Sequence, residues 1–118
     1  RVPCLMRWPD RLPKGTTSNQ VGITMDLTAT ILNAAGLKPS KDIPLDGFDL
    51  LPIVTGKQKE IDRTLFWRID REGRKQKSVR DGKWKYLKDD MIELLFDLDQ
   101  DVAQRHNLNY RHPEVVAR

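Results

Sequence analysis

The stretch from Thr64 to Leu98 constrains the fold most, because its apolar residues recur at every second position rather than every third or fourth. Four runs carry that period: Thr64–Ile69, Lys77–Arg80, Lys83–Lys88 and Ile92–Leu98. Asp81-Gly82 between the second and third is a two-residue hairpin signal, since both residue types accept the left-handed backbone such turns demand. Asp89-Asp90 joins the third and fourth runs. In the third run Trp84 and Tyr86 share one face, and Lys83, Lys85 and Lys88 are assigned to the other. The pattern predicts a four-stranded antiparallel meander with one wet face.

Upstream of it the period changes. Leu27, Ile31, Ala34 and Ala35 recur at three and four residues, which predicts a helix over about 24–35 with those residues facing inward. Asp26 or Thr24 can cap its start, and Gly36 stands where a left-handed residue ends a helix. Asp49 can cap a short helical turn through Val54, ended by Gly56, with Pro52 in the first turn where a missing N–H costs little. Val2–Trp8 is apolar without alternation, the reading of a strand buried on both faces, and Cys4 within it reads as a small buried hydrophobe. Residues 99–110 read as a polar loop, and His112-Pro113-Glu114 opens a helix with Pro at its first position. The fold class is therefore α+β: a four-stranded antiparallel sheet preceded by a strand and a helix.

A length of 118 residues suits one domain's worth of buried core. A single cysteine excludes a disulfide within the chain and a thiolate zinc cluster. No apolar window approaches a membrane span, so no membrane partner is expected. The net charge of +4 is unevenly spread. Arg68, Arg71, Arg74, Lys75, Lys77, Arg80, Lys83, Lys85 and Lys88 stand against Asp70, Glu72 and Asp81. From Asp89 to Asp101 there are acids and no base. Neighbouring strands are thus expected to pair opposite charges. A basic sheet bearing Trp67, Trp84 and Tyr86 also fits a nucleic-acid-binding module. The interleaved acids, and a core that needs those rings, argue for no nucleic acid.

Five stretches, in order, carry a resemblance to the C-terminal third of a sulfatase of the arylsulfatase type, in the alkaline phosphatase-like superfamily. "RVPCLMRWP" resembles that family's R-V-P-x-x-x-R-W-P strand, and "MDLTATILNAAG" its D-L-x-P-T-L-L-x-x-A-G helix. "LDGFDLLPIVTG" is similar to L-D-G-x-S-L-L-P-L-L-x-G. "SVRDGKWKYL" resembles A-V-R-x-G-x-W-K-Y, and "LFDLDQDVAQRHNL" resembles L-Y-D-L-x-x-D-P-x-E-x-x-N-L. Ala29 replaces a common Pro, while Val102 and Gln104 replace Pro and Glu.

The resemblance implies a sulfuric ester hydrolase with a formylglycine nucleophile, made from the Cys or Ser of C/S-x-P/A-S-R, and a divalent cation, usually calcium, that offsets charge on the sulfate oxygens. It implies a division in which residues 1–56 end the catalytic α/β domain and 57–118 form the C-terminal antiparallel subdomain. The catalytic and metal groups are expected upstream, on a catalytic domain that is the partner of this piece; the chain alone is expected to be inactive. Cys4, followed by Leu5-Met6-Arg7, lacks the nucleophile pattern, as does Ser78-Val79-Arg80. Asp89-Asp90 reads as a turn and not as metal carboxylates, and His106 and His112 have no metal spacing. The candidate substrate-binding residues are Arg68, Arg71 and Arg74, at a cleft rim facing an anionic sulfated substrate. A phosphodiester or phosphonate hydrolase of the same superfamily is the alternative. A periplasmic or secreted location is favoured by the resemblance. Residues 2–8, lacking neighbours, are expected to drive self-association.

Overall fold

The computed structural model describes residues 2–118, which form two compact units, Val2–Ile61 and Asp62–Arg118. The first holds helices α1 (Thr24–Ala34) and α2 (Leu51–Val54). The second holds strands β1 (Thr64–Arg71), β2 (Arg74–Asp81), β3 (Trp84–Asp89) and β4 (Ile92–Asp97), followed by the helical turn α3 (Pro113–Val116). No helix among the described residues is long and apolar enough to cross a membrane.

In the first unit α1 begins after Ile23, whose side chain has no acceptor to offer. Asp26, three residues in, supplies the reciprocal bond instead, accepting the Ile23 N–H at 2.8 Å. Its end is a Schellman motif: Leu37 N–H donates to Leu32 O and Gly36 N–H to Asn33 O, both at 2.9 Å, with Gly36 at φ 71°. The inward face differs from the expected one. Ile31 is 66% exposed, and the buried residues are Asp26, Ala29 and Thr30. The reason lies in the segment 47–50, which crosses this side of the helix with its backbone groups pointing inward. Asp26 Oδ1 accepts the Phe48 N–H at 3.1 Å, and Thr30 Oγ1 accepts the Leu50 N–H at 2.9 Å while donating to Asp26 O. A polar face serves that backbone as an apolar one could not. The Asp49 side chain precedes α2 and accepts the Leu51 N–H at 2.9 Å.

The strand expected over Val2–Trp8 does not form; residues 2–7 are irregular and exposed, and so is the Cys4 thiol. A strand needs a hydrogen-bonding neighbour, and among the described residues none runs beside this segment.

The sheet is the expected meander, in the order β1-β2-β3-β4, every pair antiparallel. Its first two strands are longer than periodicity marked, and they meet in a turn at Glu72-Gly73, with Gly73 at φ 73°. The second turn is Gly82-Lys83, one residue later than expected, and the third is Asp90-Met91, with Asp90 at φ 52°. Pairing puts Trp84, Tyr86 and Lys88 on one face and Lys85 and Leu87 on the other. Lys88 therefore joins the aromatic side, because strand parity is fixed by position and not by polarity. Leu65, Leu95, Phe96 and Leu98 are buried in this unit, and Ala29, Leu50 and Ile53 in the first.

Candidate functional site

The β1–β2 hairpin presents the three candidate arginines, and strand alternation separates them. Arg71 and Arg74 are direct partners on either side of the Glu72-Gly73 turn, exposed and facing the same way. Among the described residues neither meets an acid. Arg68 lies three positions from Arg71 and so faces the opposite side, where its guanidinium pairs with Asp70. The structure brings Arg71 and Arg74 together and leaves Arg68 out.

Cross-strand charges do not pair as expected. Asp70 opposes Lys75 and Lys88 opposes Glu93, but Arg71 opposes Arg74, Arg68 opposes Lys77, Lys77 opposes Lys88, and Arg80 opposes Lys85. The basic run folds back on itself through three strands, while the acidic run reaches the sheet only as β4, beside β3. Like charges directly opposite one another are destabilising. Lys88 is held by Glu93 at 2.7 Å. That hydrogen bond raises the lysine's pKa and lowers the carboxyl's. Lys85 donates to Gln104 at 2.8 Å. Burial, and then the charge of Arg80, lower its pKa.

The remaining signalled residues have structural roles. Ser78 is buried and donates to Tyr86 O at 3.0 Å, so its hydroxyl is spent within the sheet. Asp89 accepts from the Gln76 amide, and Asp90 turns the chain. The His112 ring lies 5.0 Å from that of Trp84, whose indole also receives the Lys83 ammonium at 4.8 Å. Lys83 bonds Asp97 at 2.8 Å, and this bond is the main cause of the carboxyl's lowered pKa. His106 stands exposed; its backbone N–H and that of Arg105 both donate to Asp101 Oδ2. Asn107 Oδ1 accepts the Leu95 N–H at 3.0 Å. Sequence reading missed the roles of Asp101 and Asn107, and the Arg68–Lys77–Lys88 row. The signal for that row was the turn register, which assigns each residue its partner.

The residues present do not fit a formylglycine nucleophile or a metal. Cys4 is exposed outside the required pattern, and no group of three His, Cys, Asp or Glu able to hold an ion comes together among the described residues.

Comparison with known proteins supplies the family. The sequence model described as "N-sulphoglucosamine sulphohydrolase, C-terminal" matches residues 1–117. N-acetylgalactosamine-6-sulfatase of Canis lupus familiaris is 46% identical over 67 residues, which is 57% of this chain and 13% of that protein. The ulvan-active sulfatase of Formosa agariphila is 29% identical over 117 residues, 93% of this chain and 22% of that protein. In fold, the chain is similar to the crystal structure of Ps i-CgsB in complex with k-i-k-neocarrahexaose. The TM-score is 0.76 at 23% identity, covering 92% of this chain and 25% of that one. The chain thus spans a quarter or less of each of these relatives. It belongs to the N-sulphoglucosamine sulphohydrolase C-terminal family, the C-terminal region of sulfatases.

Proposed function

We propose that this chain is the C-terminal part of a sulfate-ester hydrolase, and that its β1–β2 hairpin forms a rim holding an anionic, sulfated saccharide. The formylglycine nucleophile and the divalent cation belong to sequence preceding these residues. Residues 1–56 complete the catalytic α/β domain and 57–118 form the C-terminal antiparallel subdomain. Family membership supports the reaction class, and the relatives' names, an N-acetylgalactosamine-6-sulfatase and an ulvan-active sulfatase, support a sugar substrate. The observation that carries the rim is the direct opposition of Arg71 and Arg74, two guanidinium groups that no acid among the described residues neutralises. Guanidinium is planar and matches oxyanions through paired N–H donors, so a sulfate between the two relieves their repulsion.

The test is steady-state sulfate release by the longer protein containing this chain. The double substitution Arg71→Ala/Arg74→Ala is expected to raise KM for a sulfated oligosaccharide about fivefold or more, with kcat and turnover of a small aryl sulfate unchanged. Unchanged KM, or an equal loss with the small ester, overturns the rim assignment.

A further inference from the structure

The sheet face opposite to Arg71 and Arg74 carries a second cationic feature that the hairpin rim does not use. Arg68, Lys77 and Lys88 are consecutive direct partners across β1, β2 and β3, so three cations stand in one row perpendicular to the strands. Neighbouring strands are about 4.8 Å apart, so the row spans roughly 10 Å. Its ends are held from outside: Asp70 pairs with Arg68, and Glu93 with Lys88 at 2.7 Å. Lys77, in the middle, meets no acid among the described residues and has a cation on either side. Lys75, opposite Asp70, extends the positive charge toward the turn, and Phe66, 67% exposed, lies on the same face beside Arg68.

An acid at position 77 would complete an alternating row and stabilise the sheet, so a lysine there works against folding. We propose that this row is a binding track for a linear sulfated polysaccharide, whose sulfates occupy the positions between the three cations. The choice of polymer rests on the sulfatase reading above; the row itself does not. Nucleic acid fits less well, because single-strand binders stack successive bases on successive rings. Here Phe66 is one exposed ring; Tyr86, on the same face, is half-buried, and Trp84 is covered by His112 and Lys83.

The conflict between folding and binding gives the test. The longer protein containing this chain and its Lys77→Glu and Lys77→Gln variants are titrated with dextran sulfate, uncharged dextran and a single-stranded oligothymidylate, at two salt concentrations. Thermal unfolding is followed in parallel. The expected result is salt-sensitive binding of dextran sulfate, no binding of dextran, and weaker binding of the oligonucleotide. Lys77→Glu is expected to lose about tenfold or more in affinity while its melting temperature rises by about 3 °C, with Lys77→Gln between the two. Undiminished affinity in both variants overturns the proposal, as does an oligonucleotide bound as tightly as the sulfated polymer. If Lys77→Glu fails to fold, affinity of Lys77→Gln decides. Sulfate release by the longer protein tests the sulfatase reading separately, since it does not depend on this row.

Discussion

Asp26 shows how a single residue can be legible as a type and misread as a role. Its place near a helix start marked it as a cap, and it does accept the Ile23 N–H. Nothing in the local pattern shows that its second oxygen answers Phe48, twenty-two residues on, or that burial is complete at 0% exposure. Periodicity weighs apolar residues, so it chose Leu27 and Ile31 over the polar stripe that faces inward. The close approach behind this arrangement is fixed by Gly47, where an added Cβ would lie 2.2 Å from Met25 O and 2.6 Å from Asp26 N. Gly47→Ala is therefore expected to destabilise the fold by about 2–3 kcal/mol, because backbone and not a flexible side chain must give way. Asp26→Ala is expected to cost about 2 kcal/mol or more by removing the acceptor of two half-buried amide donors, at roughly 1–3 kcal/mol for each such group. Urea unfolding of each variant measures both losses. A change within about 0.5 kcal/mol for either would show that the loop does not depend on this contact.

At the scale of elements, the meander was readable because each strand keeps period two and each turn contains a glycine or aspartate. Gly73, Gly82 and Asp90 all take positive φ, which those residue types accept at least cost. Register was not readable. Moving the second turn from Asp81-Gly82 to Gly82-Lys83 changes which residues oppose one another, and it is this register that sets Lys77 opposite Lys88. The treatment of the sheet's far edge was also hidden, since it is built from a loop without periodicity. Leu108 N–H donates to Leu95 O at 2.8 Å, Asn107 Oδ1 accepts from Leu95, and the Asn107 and Asn109 amides both donate to Glu93 O. The loop thus occupies backbone groups that an edge strand would otherwise expose. Asn107→Ala is expected to speed hydrogen exchange at Leu95 at least tenfold, with β2 amides less affected. Equal rates in variant and parent at Leu95 would mean that the loop does not protect the edge.

For the molecule as a whole, the acids of β4 and the loop after it tie charge to stability. Hydrogen bonds from Lys88, from Lys83 and from the His106 backbone are the leading causes that lower the pKa values of Glu93, Asp97 and Asp101 respectively. Unfolded carboxyls titrate near 4, above these folded values, so the unfolded chain binds protons first as pH falls. The stability they confer is present above about pH 4 and is lost on acidification below it. The urea midpoint is expected to be flat from pH 7 to 5 and to fall below pH 4, with Asp101→Asn showing a shallower fall. A midpoint independent of pH down to 3 would contradict the assignment. The family was legible because its motifs span the chain, whereas the site was legible only as residue types. Arg71 and Arg74 sit together because a turn joins them, while Arg68 is set apart by parity.

The central claim, that the chain serves a sulfate-ester hydrolase whose reacting groups lie on preceding sequence, is tested most directly by one assay. Sulfate release from an aryl sulfate is measured side by side for the isolated 118 residues and for the complete translation product of the gene. The expected result is release by the complete product alone. Release by the 118 residues themselves, or none from the complete product, would contradict it.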